Sequence, residues 1–196
     1  MNRFRMPIVV ALMVLPLAAV AQYSQLEPNS VFMLKVEASV SPFVNTVGGP
    51  GADGYLFPNH ENGAGLNVIA GANIKEEWFL GGGVGANVYG GGGLPASEMK
   101  MSAAVFADAD FRPSWLGAGQ KAAAFVPLVG GRVGASVLLA DEMVITPLVE
   151  GNAGINWCYA HSMRGTSHKW QSIYATVGIA YMLKTVFVPI RIGWRW

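Results

Sequence analysis

Val188-Pro189-Ile190-Arg191-Ile192-Gly193-Trp194-Arg195-Trp196 alternates without a slip. Val188, Ile190, Ile192, Trp194 and Trp196 fall on one side of an extended strand, and Arg191, Gly193 and Arg195 on the other. A side-chain period of two gives such a strand two unlike faces, here one apolar with two indoles and one cationic or bare. It also stops on an aromatic at the last residue, where soluble domains usually fray into polar segments. The stretch predicts the closing strand of a transmembrane β-barrel.

Residues 1–21 read as a signal peptide to be removed. Arg3 and Arg5 supply a positive start, Met6 to Ala18 an apolar stretch, and Ala19-Val20-Ala21 a small-x-small cleavage site. That apolar stretch is short for the ~20 residues of a spanning helix. Residues 22–196 are then expected to form one barrel domain. Without Arg3 and Arg5 the 13 basic residues fall to 11, against 12 acidic, a formal charge of −1. No basic cluster suits nucleic acid. Charged residues are 13 % of the chain, about half the ~25 % of soluble domains, as a lipid-facing surface would require. Cys158 is the single cysteine, which excludes an internal disulfide.

Working back from the terminal stretch, seven more segments carry the pattern. They fall at roughly 30–40, 63–74, 78–89, 98–111, 121–132, 145–157 and 171–183, with the last beginning near Val186. In the second, Ile69 breaks the alternation, and in the fifth apolar residues occupy both parities. Pro127, Gly130, Gly131, Arg132 and Gly134 argue against a membrane helix over 122–140. The fold class expected is all-β, an eight-stranded antiparallel up-and-down transmembrane barrel, because only a closed sheet leaves no edge unsatisfied in hydrocarbon.

Which face meets oil decides between this and a soluble barrel. The face opposite the Ile, Val and Trp residues is mainly Gly, Asn, Ser, Thr and Ala, too poor in charge to face water. Its isolated charges, Lys35, Glu37, Lys100, Asp108, Glu150, Arg191 and Arg195, are expected to form an ionic network across a narrow lumen. Pairs Lys35–Glu37, and Arg191 or Arg195 with Glu150 or Asp108, would serve. The glycines at 81, 83 and 85 are expected to make room for tall neighbours such as Lys35, Phe106 or Tyr174 rather than to leave a void.

If the N-terminus lies in the periplasm, Trp78, Trp115, Trp157, Trp170, Trp194 and Trp196 gather at one rim as an aromatic girdle. The other rim would then carry Phe43, Tyr55, Phe57 and Tyr89, with loops at 41–62, 89–98 and 132–144 outside. The connection at Lys184-Thr185 sits awkwardly there, being as tight as a periplasmic turn.

The signal peptide, the eight amphipathic strands and the terminal Val188-x-Ile190-x-Ile192-x-Trp194-x-Trp196 resemble small outer-membrane β-barrels of Gram-negative bacteria. Glu61-Asn62-Gly63-Ala64-Gly65-Leu66-Asn67-Val68-Ile69 and Lys75-Glu76-Glu77-Trp78-Phe79 are similar to phrases of the OmpA/OmpX-like barrels common in Bacteroidota. The resemblance implies residence in the cell outer membrane. It also implies an assembly signal at Ile192, Trp194 and Trp196 that is read by the barrel-assembly machinery. Some barrels of this kind modify lipid A, which makes adjacent His161 and Ser162 a candidate catalytic pair and His161 with His168, near Cys158, a candidate metal site, while His60 lies in the first outer loop. Adjacency of His161 and Ser162 does not make a nucleophile–base pair, and no ligand spacing completes a metal site. The expectation is a monomeric structural or interaction barrel in contact with outer-membrane lipid. It would have a side-chain-filled lumen, surface-exposed loops, no catalytic residue, no cofactor and no metal. A narrow passive transporter of small apolar solutes and a lipid A acyl hydrolase or acyltransferase are the alternatives.

Overall fold

The computed structural model describes residues 31–46, 56–57, 60–74, 77–91, 99–113, 124–139, 143–164 and 167–196, with strand pairing alone at 158–164 and 167–171. Ten strand segments follow in order. They are β1 (Val31–Ser41), β2 (Phe43–Thr46), β3 (Asn62–Ile74), β4 (Trp78–Gly90), β5 (Lys100–Phe111), β6 (Ala124–Leu139), β7 (Val144–Arg164), β8 (Ser167–Met182), β9 (Thr185–Phe187) and β10 (Ile190–Arg195). Neighbours pair antiparallel throughout, and β10 pairs with both β1 and β8, so the sheet closes on itself.

Ten segments make eight staves. Pro42 divides the first into β1 and β2, and Val188-Pro189 divides the last into β9 and β10, because proline has no N–H to give the ladder. Neighbouring groups bridge both breaks: Val188 N–H donates to Pro42 O at 3.0 Å, and Gly178 N–H to Pro189 O at 2.9 Å. The chain is an eight-stranded antiparallel closed barrel.

The expected alternation sets the faces. Phe32, Val36, Leu66, Val68, Val84, Ile155, Ile173, Val177 and Ile192 are exposed on the outside, whereas Met33, Lys35, Glu37, Asn67, Glu150 and Arg191 are buried within. Ile69, which broke the pattern, faces the lumen and is fully buried. It lies against Gly83, where a Cβ would come within 2.8 Å of both Ile69 and Phe106. The glycines at 83 and 85 thus accommodate Phe106 and Asn67, and Gly193 accommodates Tyr174.

Several boundaries move. The fifth strand, placed at 121–132, runs over Ala124–Leu139. Its parity was hidden because Leu128 is an apolar lumen residue. The sixth connection, placed near 158–170, is mostly strand: β7 runs on to Arg164 and β8 starts at Ser167. Trp157 and Trp170 therefore lie within strands rather than at their ends. The tight connection at the eighth stave is a two-residue turn with positive φ at Leu183 and Lys184, the type that matches hairpin twist. Its strained Leu183 is fully buried and donates its N–H to Thr146 Oγ1 at 2.8 Å. The strand count therefore stands with that short turn in place.

Candidate functional site: the lumen and its mouth

Parity within the strands turns the charged side chains inward, and the low dielectric they enter forces them to pair. Lys35, Arg132, Arg191 and Arg195 meet Glu37, Asp108, Asp110 and Glu150, all buried, while Arg112, also buried, donates through Nη2 to Asn73 Oδ1 at 3.3 Å. Lys35 Nζ bonds to Asp108 and reaches Asp110 Oδ2 at 2.6 Å. Asp110 also takes Arg195 Nη2 at 2.7 Å. It thereby joins two cations that face each other across the β1–β10 seam. Arg132 binds Asp108 at 2.7 Å through Nε and Glu37 at 2.6 Å through Nη2. Arg191 grips Glu150 with both terminal nitrogens, Nη2 to Oε2 at 2.6 Å.

Neutral groups complete the shell. The Tyr174 hydroxyl donates to Glu37 Oε1 at 2.5 Å and Asn67 donates to Glu37 Oε2 at 3.3 Å. Lys35 Nζ lies 4.0 Å from the Phe79 ring centre and the Arg132 guanidinium 4.9 Å from that of Phe106, which adds cation–π attraction. This arrangement can hold charge in a filled lumen.

Arg191 takes Glu150 as the sequence suggested, but other pairings differ. Lys35 bonds to two aspartates rather than Glu37, and Arg195 takes Asp110 rather than Glu150 or Asp108. Lys100 stands apart from the central network. It begins β5 at the mouth far from the termini, where its Nζ contacts Glu61 Oε1 at 2.9 Å and Leu56 O at 2.5 Å. Asp110, Arg132 and Tyr174 were missing from the expected network. One signal could have found Asp110: no Asp or Glu follows Glu150, so Arg191 and Arg195 must draw carboxylates from earlier strands.

The same mouth holds an apolar plug. Phe57 is buried, with its ring 4.7 Å from Tyr89 and 5.6 Å from Phe187. Phe43 stands 6.2 Å from Phe187 and stacks on His60 at 4.7 Å. Phe57 and Tyr89, expected at the outer rim, instead point into the barrel, and Phe43 is partly buried against them. Tyr55 lies outside the described residues.

At the end carrying the termini, Trp78, Trp157 and Trp194 are exposed on the outer surface, and Trp194 lies 4.9 Å from Trp196. Ile192 is exposed beside them, and the Trp196 backbone exchanges hydrogen bonds with Leu34 at 2.9 and 3.0 Å. Trp115 and the 1–21 segment lie outside the described residues. For Cys158, His161, Ser162, His168 and Trp170 the strand pairing alone is described: His161 pairs with Trp170, Ser162 with Lys169, and Met163 with His168. Among the described residues no His, Cys, Asp and Glu group is arranged to hold a metal.

No protein-family model and no curated protein matches the chain. Among solved structures, it is similar to Neisserial surface protein A (NspA), with 14 % identity over 85 % of this chain and 97 % of that one and a TM-score of 0.53. It is more loosely similar to Ail, the attachment invasion locus protein of Yersinia pestis, with 13 % identity over 84 % and 98 % and a TM-score of 0.42. At such identities the likeness to NspA speaks for the fold, in agreement with the closed sheet and its apolar exterior. The chain is a closed eight-stranded β-barrel with an apolar exterior, a fold it shares with NspA.

Proposed function

We propose that this barrel is a structural and interaction element of the outer membrane, with a closed lumen, exposed loops and no catalytic activity. The observation that carries the proposal is the bonding of Lys35, Arg132, Arg191 and Arg195 to four buried carboxylates beneath the Phe57 plug. An eight-stranded barrel has an interior that side chains can fill, and here those side chains are bonded to one another. An apolar solute would have to cross this charged layer, which counts against the transporter. Ail is named for attachment and invasion; a surface-interaction role is proposed for this chain on the strength of its own closed lumen.

The finer placement among OmpA/OmpX-like barrels of Bacteroidota rests on the sequence phrases alone, since the structural likenesses found are to Neisserial and Yersinia proteins. We further propose that Ile192, Trp194 and Trp196 are read by the barrel-assembly machinery. The exposed tryptophans would form the girdle at the headgroup level, and a monomer would be the working unit in lipid. Planar-bilayer recording tests the lumen proposal. Purified protein is expected to give no discrete openings, and nanosiemens-scale steps would overturn it. Incubation with lipid A tests the absence of catalysis, and release or transfer of an acyl chain would reverse that part.

A further inference from the structure

We infer that Lys100 is the electrostatic latch of a lid, formed by residues 56–57 and 60–61, that closes the mouth far from the termini. The segment lies between β2 on the first stave and β3 on the second, yet its contacts reach other walls. Phe57 packs on Tyr89 of β4 and Phe187 of β9, and Lys100 of β5 holds Leu56 O and Glu61 Oε1. The ammonium also lies 5.2 Å from the Phe57 ring centre, so one cation touches three successive parts of the lid.

The two ends of this pair are unequally exposed. Glu61 is buried, its side chain 1 % exposed, while that of Lys100 is 29 % exposed. Among the described residues Glu61 Oε2 has no hydrogen-bond partner, so the carboxylate is held by Lys100 through its other oxygen. Removing a partly exposed cation strands a buried anion, which is among the costliest local changes a fold can meet. The lid can relieve that cost by leaving the mouth with Glu61, even though Phe57 then loses its apolar pocket. Removing the carboxylate strands nothing comparable, because Lys100 already reaches solvent. Closure therefore depends on the charge of Lys100, and opening uncovers an aromatic floor of Tyr89 and Phe187.

Amide exchange on full-length protein in lipid nanodiscs tests this. The amides of Leu56, Phe57, His60 and Glu61 report the lid, those of residues 66–70 in β3 serve as an internal control, and heat-modifiable gel mobility confirms a folded barrel. Lys100→Met is expected to speed lid exchange by at least about tenfold, as leaving a buried charge unpaired implies. Glu61→Gln alone should leave the lid protected. The double variant Lys100→Met/Glu61→Gln should restore protection to near the parent level. A lid unchanged in Lys100→Met would overturn the inference. So would a double variant as open as Lys100→Met, or Glu61→Gln opening the lid equally, since either would reduce the pair to a simple structural tie.

Discussion

Replacing Glu150 by glutamine removes one charge from the lumen while keeping the shape of the side chain. Arg191 would lose the carboxylate that both its terminal nitrogens grip. The pair is deeply buried, with side chains 7 % and 1 % exposed, so solvent screening offers little relief. Breaking a buried pair by removing one partner costs about 3–5 kcal/mol. Arg191 Nε retains Glu37 Oε2 at 3.8 Å, a second carboxylate within electrostatic reach, which places the expected loss near the lower end, about 3 kcal/mol. At about 1.4 kcal/mol per decade, that is roughly a hundredfold shift in the folding equilibrium. Urea titration of the barrel in lipid vesicles, followed by tryptophan fluorescence, reads the shift. The paired replacement Glu150→Leu/Arg191→Met removes both charges and is expected to recover most of the loss, because an apolar pair of similar size is often neutral or better. A Glu150→Gln protein as stable as the parent would refute the view that pairing within the lumen holds these strands in place. A double variant no better than the single would refute it equally.

Ile192→Arg places a cation on the outer face, where Ile192 is exposed between Ala38 and Ala175. The cost is up to about 2–4 kcal/mol at mid-bilayer depth, so the yield of folded barrel on a heat-modifiability gel should fall; normal insertion would reverse the assignment of faces. Gly83→Leu drives a side chain into Ile69 and Phe106 and should cost about 1–3 kcal/mol or more by overpacking. Gly151→Ala, with nothing within 4 Å of its new Cβ, should leave the urea midpoint within a few tenths of a molar of the parent. Trp196→Ala keeps the terminal backbone pair with Leu34, so its equilibrium stability should change less than its rate of insertion into vesicles containing the assembly machinery; an unchanged rate would remove Trp196 from the assembly signal.

How much of this was legible follows from what each residue faces. Oil on one side of every strand imposes a binary choice, so parity alone assigned Phe32, Leu66, Ile173 and Ile192 to the outside and Lys35, Asp108 and Arg191 to the lumen. Partner choice is a different quantity, set by stagger and by which strands face each other across the lumen. Lys35 and Arg195 are direct neighbours at the seam, yet both bond to Asp110 on β5, and no local spacing encodes that meeting. Phe57 was illegible for a related reason: a lone aromatic in a turn-rich segment carries no period, and only the contacts with Tyr89 and Phe187 turn it inward. The scarcity of charge on the outside and its pairing within are consequences of one constraint. Hydrocarbon excludes charge from the outer face, a narrow lumen tolerates it only when neutralised, and a sequence meeting both demands must place its carboxylates within reach of its cations, on the next strand for Asp108 and Arg132 and across the lumen for Asp110 and Arg195. Lys100 escapes this constraint because its height at the mouth gives its ammonium access to water, which the buried cations below it lack.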